Sequence, residues 1–384
     1  MEDAYTQTDP YAFRESFREV GRHLSILHFL AAFGIASLLI PMLNRMARRI
    51  DWVDVPDLRK RHLCAVPLTG GVAMLSACAI VLLGLRDMQP NLAGLALGSL
   101  FLIAIGIIDD WRPLRARLRF SAQITAALAA IYLDGIRLVD LGQLVGPFIL
   151  ALGFMAVPFT VFGIVGVINA MNLSDGVDGL AGGLAWVALF WFLAVVLFGG
   201  PAGAVAGNAQ LIAPVVTVMG AIAGFLVFNM RTPWRPRAEV FMGDAGSMFL
   251  GFVLAWLAVR TSSAFGGNGL PPVFALWILA IPLFDTVSCM LRRIASGVTP
   301  MTPDRKHLHH LLLAFGLTAG QAVQLLNGIA FLLGLVGYAA WRLDVPQYHM
   351  FWALMTTLVL SHWAIQRAWA SIERSRPVGA RSVA

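Results

Sequence analysis

The chain has 384 residues, of which 58% are hydrophobic and 13% charged, with a mean hydropathy of +0.75. A water-soluble globule of that length carries far more polar surface, so composition excludes one and leaves a membrane protein. The formal charge of +7 is spread over loops between apolar runs, the pattern of membrane orientation and not of a nucleic-acid face.

Residues 1–23 are polar and mixed in charge, and no small-residue cleavage pattern follows the first apolar run, so a retained N-terminal tail is expected. Apolar runs bounded by charge, Pro or Gly then recur at 24–43, 67–85, 92–108, 119–133, 148–168, 184–198, 211–229, 246–260, 271–291, 325–341 and 349–366. The expected fold is all-α: a polytopic bundle of about eleven transmembrane helices, one membrane domain over 24–368, and a C-terminal tail over 369–384. Of the 28 Lys and Arg residues, 21 fall in the loops after odd-numbered spans and in the C-terminal tail, against 7 elsewhere. The positive-inside rule then places the N-terminus outside and the C-terminus in the cytoplasm. Cys64, Cys78 and Cys289 share no ligand-like spacing, which argues against zinc or a disulfide framework.

Every unusual polar cluster falls on the side this orientation makes cytoplasmic. Asp57, Arg59, Lys60, Arg61 and His62 precede Pro67 and the Gly70–Gly71 pair. They read either as a basic anchor or, through the compact charge of Lys60, as a ligand for a diphosphate. Asp109 and Asp110 end the third span; adjacent carboxylates at a membrane boundary call for a cation, a proton, or neutralisation by Arg112 and Arg115.

The stretch NAMNLSDGVDGLAGG, from Asn169 to Gly183, sets polar residues between two spans. On a helix the pairs Asn169/Asn172 and Asp175/Asp178 would each share a face and could hold a cation or a phosphate-bearing ligand; the alternative is a capped, solvated turn. Asp244, between glycines at the mouth of the eighth span, reads as a ligand for a hard cation or as a helix cap, with Ser247 an alternative cap. Asp285 is an intramembrane carboxylate that Arg292 or Arg293 could neutralise. Arg305, Lys306, His307, His309 and His310 form a donor-rich patch suited to phosphate; zinc is the weaker reading, since no Cys or HExxH spacing accompanies it.

Carboxylates that can hold Mg²⁺, with basic side chains nearby, are the usual means of phosphoryl transfer, and a site at a bilayer surface implies one soluble and one lipid substrate. Five stretches carry a resemblance, in order from about residue 57 to 312: RKRH with PLTGG (Arg59 to Gly71), Asp109–Asp110, NAMNLSDGVDGLAGG, EVFMGDAGSMFLG (Glu239 to Gly251) and PDRKHLHHLL (Pro303 to Leu312). Together they resemble the polyprenyl-phosphate N-acetylhexosamine-1-phosphate transferases. That resemblance implies an inner-membrane enzyme with its active site at the cytoplasmic face. It would join a UDP-N-acetylhexosamine, GlcNAc by the form of the histidine stretch, to undecaprenyl phosphate and release UMP. It implies Mg²⁺, with Mn²⁺ as a substitute, at Asp244, Asn172 and Asp175, and it places Asp109 or Asp110 at the lipid phosphate. Lys60 and the three histidines would meet the diphosphate, with Asn169, Asn172 and Arg305 also in the substrate-binding set, and Asp178, near the nucleotide, would join Asp109, Asp110 and Asp175 as the catalytic carboxylates. A homodimer stays open. The peptidoglycan branch, acting on a muramoyl-pentapeptide donor, is the related alternative; a cation-coupled transporter and an intramembrane aspartyl protease are the alternatives from other classes.

Overall fold

The computed structural model describes residues 10–55, 65–85, 92–198, 209–232, 234–262, 270–299 and 306–375. Side chains are described from residue 25 to residue 374 within these ranges. Lys60 and Arg305 lie outside the described residues.

The α-helices among the described residues are α1 Pro10–Arg49, α2 Gly70–Gly84, α3 Ala93–Trp111, α4 Ala116–Leu133, α5 Ala156–Ser174, α6 Leu180–Phe198, α7 Ile212–Asn229, α8 Gly243–Ser262, α9 Pro272–Ile278, α10 Ala280–Ala295, α11 Leu308–Ala314, α12 Ala319–Arg342 and α13 Gln347–Ser375. The only described sheet is a two-stranded antiparallel pair, β1 Val53–Asp54 with β2 Val66–Pro67. Each of the eleven predicted spans is occupied by helix. Among the described residues, seven helices are long and apolar enough to cross a bilayer, eight if α9 and α10 count as one span; α2 is shorter, and α4 and α13 carry more polar residues. Large apolar side chains such as Leu38, Phe162 and Val359 face outward, as lipid contact requires.

Two predicted elements take another form. The ninth span is bent by 84° between α9 and α10. Pro282 supplies the cause: its ring would clash with the Ile278 carbonyl in a continuous helix, whereas in the first turn of α10 its missing N–H costs nothing. At the N-terminus, α1 begins at Pro10, inside the expected tail.

The bundle is organised around α8, 83% of whose most apolar window is buried against 22% for α1. Its neighbours approach closely because small residues meet there. A side chain at Gly71 of α2 would strike the Gly246 backbone, and one at Gly106 of α3 the Ala245 backbone. Such crossings let helices associate where lipid offers no hydrophobic drive. The segment before α8 is stitched to the start of α2: Phe241 N–H donates to the Pro67 carbonyl at 2.9 Å, and the Gly70 and Gly71 N–H groups donate to Phe241 and Met242 at 3.0 and 3.2 Å. These contacts bring the C-terminal ends of α3 and α5 and the N-terminal end of α8 to one end of the bundle.

Candidate active site

Four carboxylates meet at that end, and their hydrogen bonds separate their roles. Both oxygens of Asp109 are occupied: Oδ1 accepts the Leu114 N–H at 2.6 Å and Oδ2 pairs with Arg119 Nη1 at 3.0 Å. Its partner is thus Arg119 on α4, not Arg112 or Arg115, which are exposed. Asp110 accepts the Asp244 N–H at 2.8 Å through Oδ1, while its buried Oδ2 has no hydrogen-bond partner. The Asp110 carboxylate lies against Gly243, which has φ +69° and no room for a side chain.

Asp244 is the second residue of α8. Its Oδ1 accepts Asn172 Nδ2 at 2.6 Å, and its Oδ2 stands 3.6 Å from Arg119 Nη1. Asn172 also donates to Ser247 Oγ at 2.9 Å, so its own carbonyl oxygen is left for another partner. Ser247 does not cap α8; its hydroxyl donates back to the Gly243 carbonyl at 3.2 Å. Asp175 follows the last turn of α5; the surrounding chain strips water from its carboxylate and, with the charges of Asp244 and Asp178, raises its pKa, a shift that the exposure of the residue as a whole tempers.

The remaining members of the central stretch have other partners. Asn169 donates to Gln123 Oε1 at 2.7 Å and to the Val165 carbonyl at 2.8 Å, tying α5 to α4 and not joining the carboxylates. Asp178 pairs with Arg231 at 2.6 Å. Gly179, at φ +86°, donates its N–H to Asn229 Oδ1 at 2.7 Å, and Asn229 Nδ2 donates to the Val240 carbonyl at 2.9 Å. Asn229 thereby fastens the stretch after α5 to the segment leading into α8. Arg119 and Asn229 escape sequence reading because a lone Arg or Asn near a span end has no motif of its own.

The histidines stand beside this cleft. His309 packs on Gly176, where any side chain would collide with the imidazole. The rings of His307 and His309 are parallel within 2° at 5.7 Å between centroids, and His310 lies 4.2 Å from His309. Asp285 is neutralised by neither Arg292 nor Arg293; its Oδ2 lies 2.9 Å from His307 Nδ1. A recess lined by Arg137, Asp140 and Phe154 lies at the opposite end of the bundle and contains none of these groups.

Oxygen donors beside imidazoles, at one end of an apolar bundle, suit transfer of a phosphate-linked group between a soluble and a lipid partner, and fold and cleft together define that class of membrane enzyme. Residues 92–262 match the model of glycosyl transferase family 4. The chain is 32% identical over 346 residues to the undecaprenyl-phosphate alpha-N-acetylglucosaminyl 1-phosphate transferase of Yersinia pestis, covering 89% of this chain and 91% of that one. It is 36% identical to the protein of that name from Haemophilus influenzae, covering 89% and 93%, and 33% identical to the one from Salmonella typhi, covering 90% and 92%. The chain belongs to this family of undecaprenyl-phosphate alpha-N-acetylglucosaminyl 1-phosphate transferases.

Proposed function

We propose that the chain transfers GlcNAc-1-phosphate from UDP-GlcNAc to undecaprenyl phosphate at the cytoplasmic face of the plasma membrane. A phosphate oxygen of the lipid attacks the sugar-linked phosphorus, the bridging P–O bond to UMP breaks, and a new diphosphate joins lipid to sugar. The observation that carries this reading is the convergence of Asp110, Asp175, Asp244 and Asn172 on one cleft, with Arg119 the cation paired to Asp109 and close to Asp244.

Among the described residues, the carboxylates of the cleft outnumber the Arg119 guanidinium that faces them, and their oxygen donors suit a hard cation. Asp110 Oδ2, buried and without a partner, fits a ligand to such an ion. Asp244, Asp175, Asp110 and the Asn172 carbonyl oxygen would hold Mg²⁺, which when bound would neutralise diphosphate charge during transfer.

The chain's own residues supply the rest. Arg119 holds Asp109, and through it the turn after α3, so that Asp110 stays against Gly243. A phosphate monoester has a second pKa near ~6 and is mostly dianionic at neutral pH, so Asp110 has little proton to remove and serves to position the lipid phosphate. Lys60, Arg305 and the histidines take the diphosphate, and Asp178 lies toward the nucleotide. The 21 to 7 split of basic residues supports the cytoplasmic orientation.

The test is purified protein with radiolabelled UDP-GlcNAc, undecaprenyl phosphate and Mg²⁺. Label moving into a solvent-extractable lipid supports the reading. Label moving only from a UDP-muramoyl-pentapeptide would overturn the choice of donor.

A further inference from the structure

Asp285 is a buried carboxylate of α10 that the transfer chemistry leaves unused. Its two oxygens are divided between the ring and the backbone of one short segment. Oδ2 lies 2.9 Å from His307 Nδ1, and Oδ1 accepts the Leu308 N–H at 2.8 Å. The first N–H groups of a helix have no partner within it, so Asp285 caps α11 from another helix while it fixes the imidazole beside that cap. With Nδ1 anchored inward, Nε2 is the ring nitrogen left to meet a ligand.

We infer that Asp285 is a positioning residue of the transfer reaction: it anchors His307 so that the imidazole presents Nε2–H to the sugar-nucleotide diphosphate, and it acts only through that ring. The inference rests on the reading that His307 meets the diphosphate.

The surroundings favour a charged ring. Burial alone would lower the His307 pKa, but the hydrogen bond to Asp285, with Cys289 also at Nδ1, outweighs it and pushes the value up to about 10. His309 goes the other way, down to about 3, through burial and the neighbouring His310. Of the two parallel rings, the surroundings thus favour a proton on His307 and disfavour one on His309, which packs against Gly176. The other titratable or charged groups nearby are Cys289, with Sγ 3.4 Å from Nδ1; Arg292, with Nη2 3.4 Å from that sulfur; His310; and Lys306, which pairs with Glu373 of α13 at 2.6 Å. His362 of α13 is turned to Ser288 of α10 at 2.8 Å. The ligand atoms of Asp285, Cys289 and His307 lie within 4.8 Å of one another, a spacing a thiophilic cation could bridge. The short His–Asp contact and the guanidinium on the sulfur satisfy the cluster with its own charges, so no ion is invoked.

The experiment is a mutant cycle of Asp285→Asn, His307→Gln and the double variant in full-length protein, with steady-state kinetics from pH 6 to 9. Asp285→Asn is expected to raise KM for UDP-GlcNAc by about 10–100-fold, the usual cost of losing the partner that orients an imidazole. KM for the lipid phosphate should move little. The loss should deepen as pH rises, because a ring without its carboxylate gives up its proton nearer the ordinary histidine range. His307→Gln should cost as much, and the double variant no more than either. If Asp285→Asn does not fold, the cycle run with Asp285→Glu, which keeps the charge and moves the oxygens by one methylene, reads the same coupling.

Losses that multiply in the double variant, or a loss equal for both substrates at every pH, would overturn the inference while leaving His307 a ligand. An unchanged KM for UDP-GlcNAc in His307→Gln would overturn the diphosphate reading and the inference with it.

Discussion

Asp244→Asn separates a metal ligand from a structural carboxylate, because its contacts limit the effect on stability while the proposed ligand role predicts a large one on turnover. The substitution turns the 2.6 Å charge-assisted bond from Asn172 into a neutral one, a loss of about 1 kcal/mol. Its 3.6 Å pairing with Arg119 joins side chains that are 32% and 37% exposed, which limits that contribution to about 0–1 kcal/mol. Removing one of four crowded carboxylates relieves repulsion and offsets part of both. The variant should therefore stay folded, within about 2 kcal/mol of the parent. Turnover should fall by about 10²–10³-fold or more, as when a group that stabilises transition-state charge is removed. The assay pairs thermal unfolding in detergent with turnover across a Mg²⁺ titration. Near-normal turnover at the parent's Mg²⁺ concentration, or turnover lost only in step with unfolding, would refute the ligand role.

Asn229→Leu strands the Gly179 N–H and the Val240 carbonyl, both held by the side chain. It should cost roughly 2–4 kcal/mol, read as a lowered unfolding midpoint; an unchanged midpoint would show that the staple is dispensable. Gly106→Val forces α3 away from the Ala245 backbone and should destabilise by about 1–3 kcal/mol, with activity falling further as Asp110 moves from Asp244; full activity would contradict the close crossing. In a variant lacking native cysteines, a Cys at Val145 should react with an impermeant reagent in intact cells, and one at Trp234, 90% exposed, only after permeabilisation. The reverse pattern would move the cleft to the other face. Chelation should abolish transfer, and added Mg²⁺ should restore it; transfer that persists in chelator would exclude the cation.

The apolar runs, and the carboxylates and histidines that the described residues bring to one end of the bundle, were legible in the sequence because burial in lipid leaves so few reasons for an Asp or a His near a span. Partner choice was not legible. Asp109 takes Arg119 over the nearer Arg112 and Arg115 because the turn at 112–115 sends α4 back along α3, and only a residue one turn into α4 faces the carboxylate. Asp285 takes His307 over Arg292 and Arg293 because both arginines stand about two turns further along α10, beyond the reach of side chains three or four residues apart, whereas the segment that starts α11 packs on the turn that carries Asp285. Asn169 and Asn172 are three apart on α5, as the spacing indicates, yet one meets Gln123 and the other Asp244. A shared helix face fixes direction only to within the span of two neighbouring helices. The family resemblance named the carboxylate pair in the last turn of α3; the hydrogen bonds distinguish its members, with Asp109 saturated and Asp110 holding an oxygen in reserve.

The most direct test of the chemistry is isotope exchange. Transfer breaks one phosphoanhydride and makes another, so its equilibrium constant should lie within about a factor of ten of unity, about 1.4 kcal/mol. Purified protein given UDP-GlcNAc, undecaprenyl phosphate, Mg²⁺ and labelled UMP should move label into UDP-GlcNAc, with no exchange when the lipid phosphate is omitted or in Asp244→Asn. A folded preparation that exchanges no label with any UDP-N-acetylhexosamine offered, or that exchanges it without the lipid, would contradict direct transfer of a sugar phosphate to the lipid.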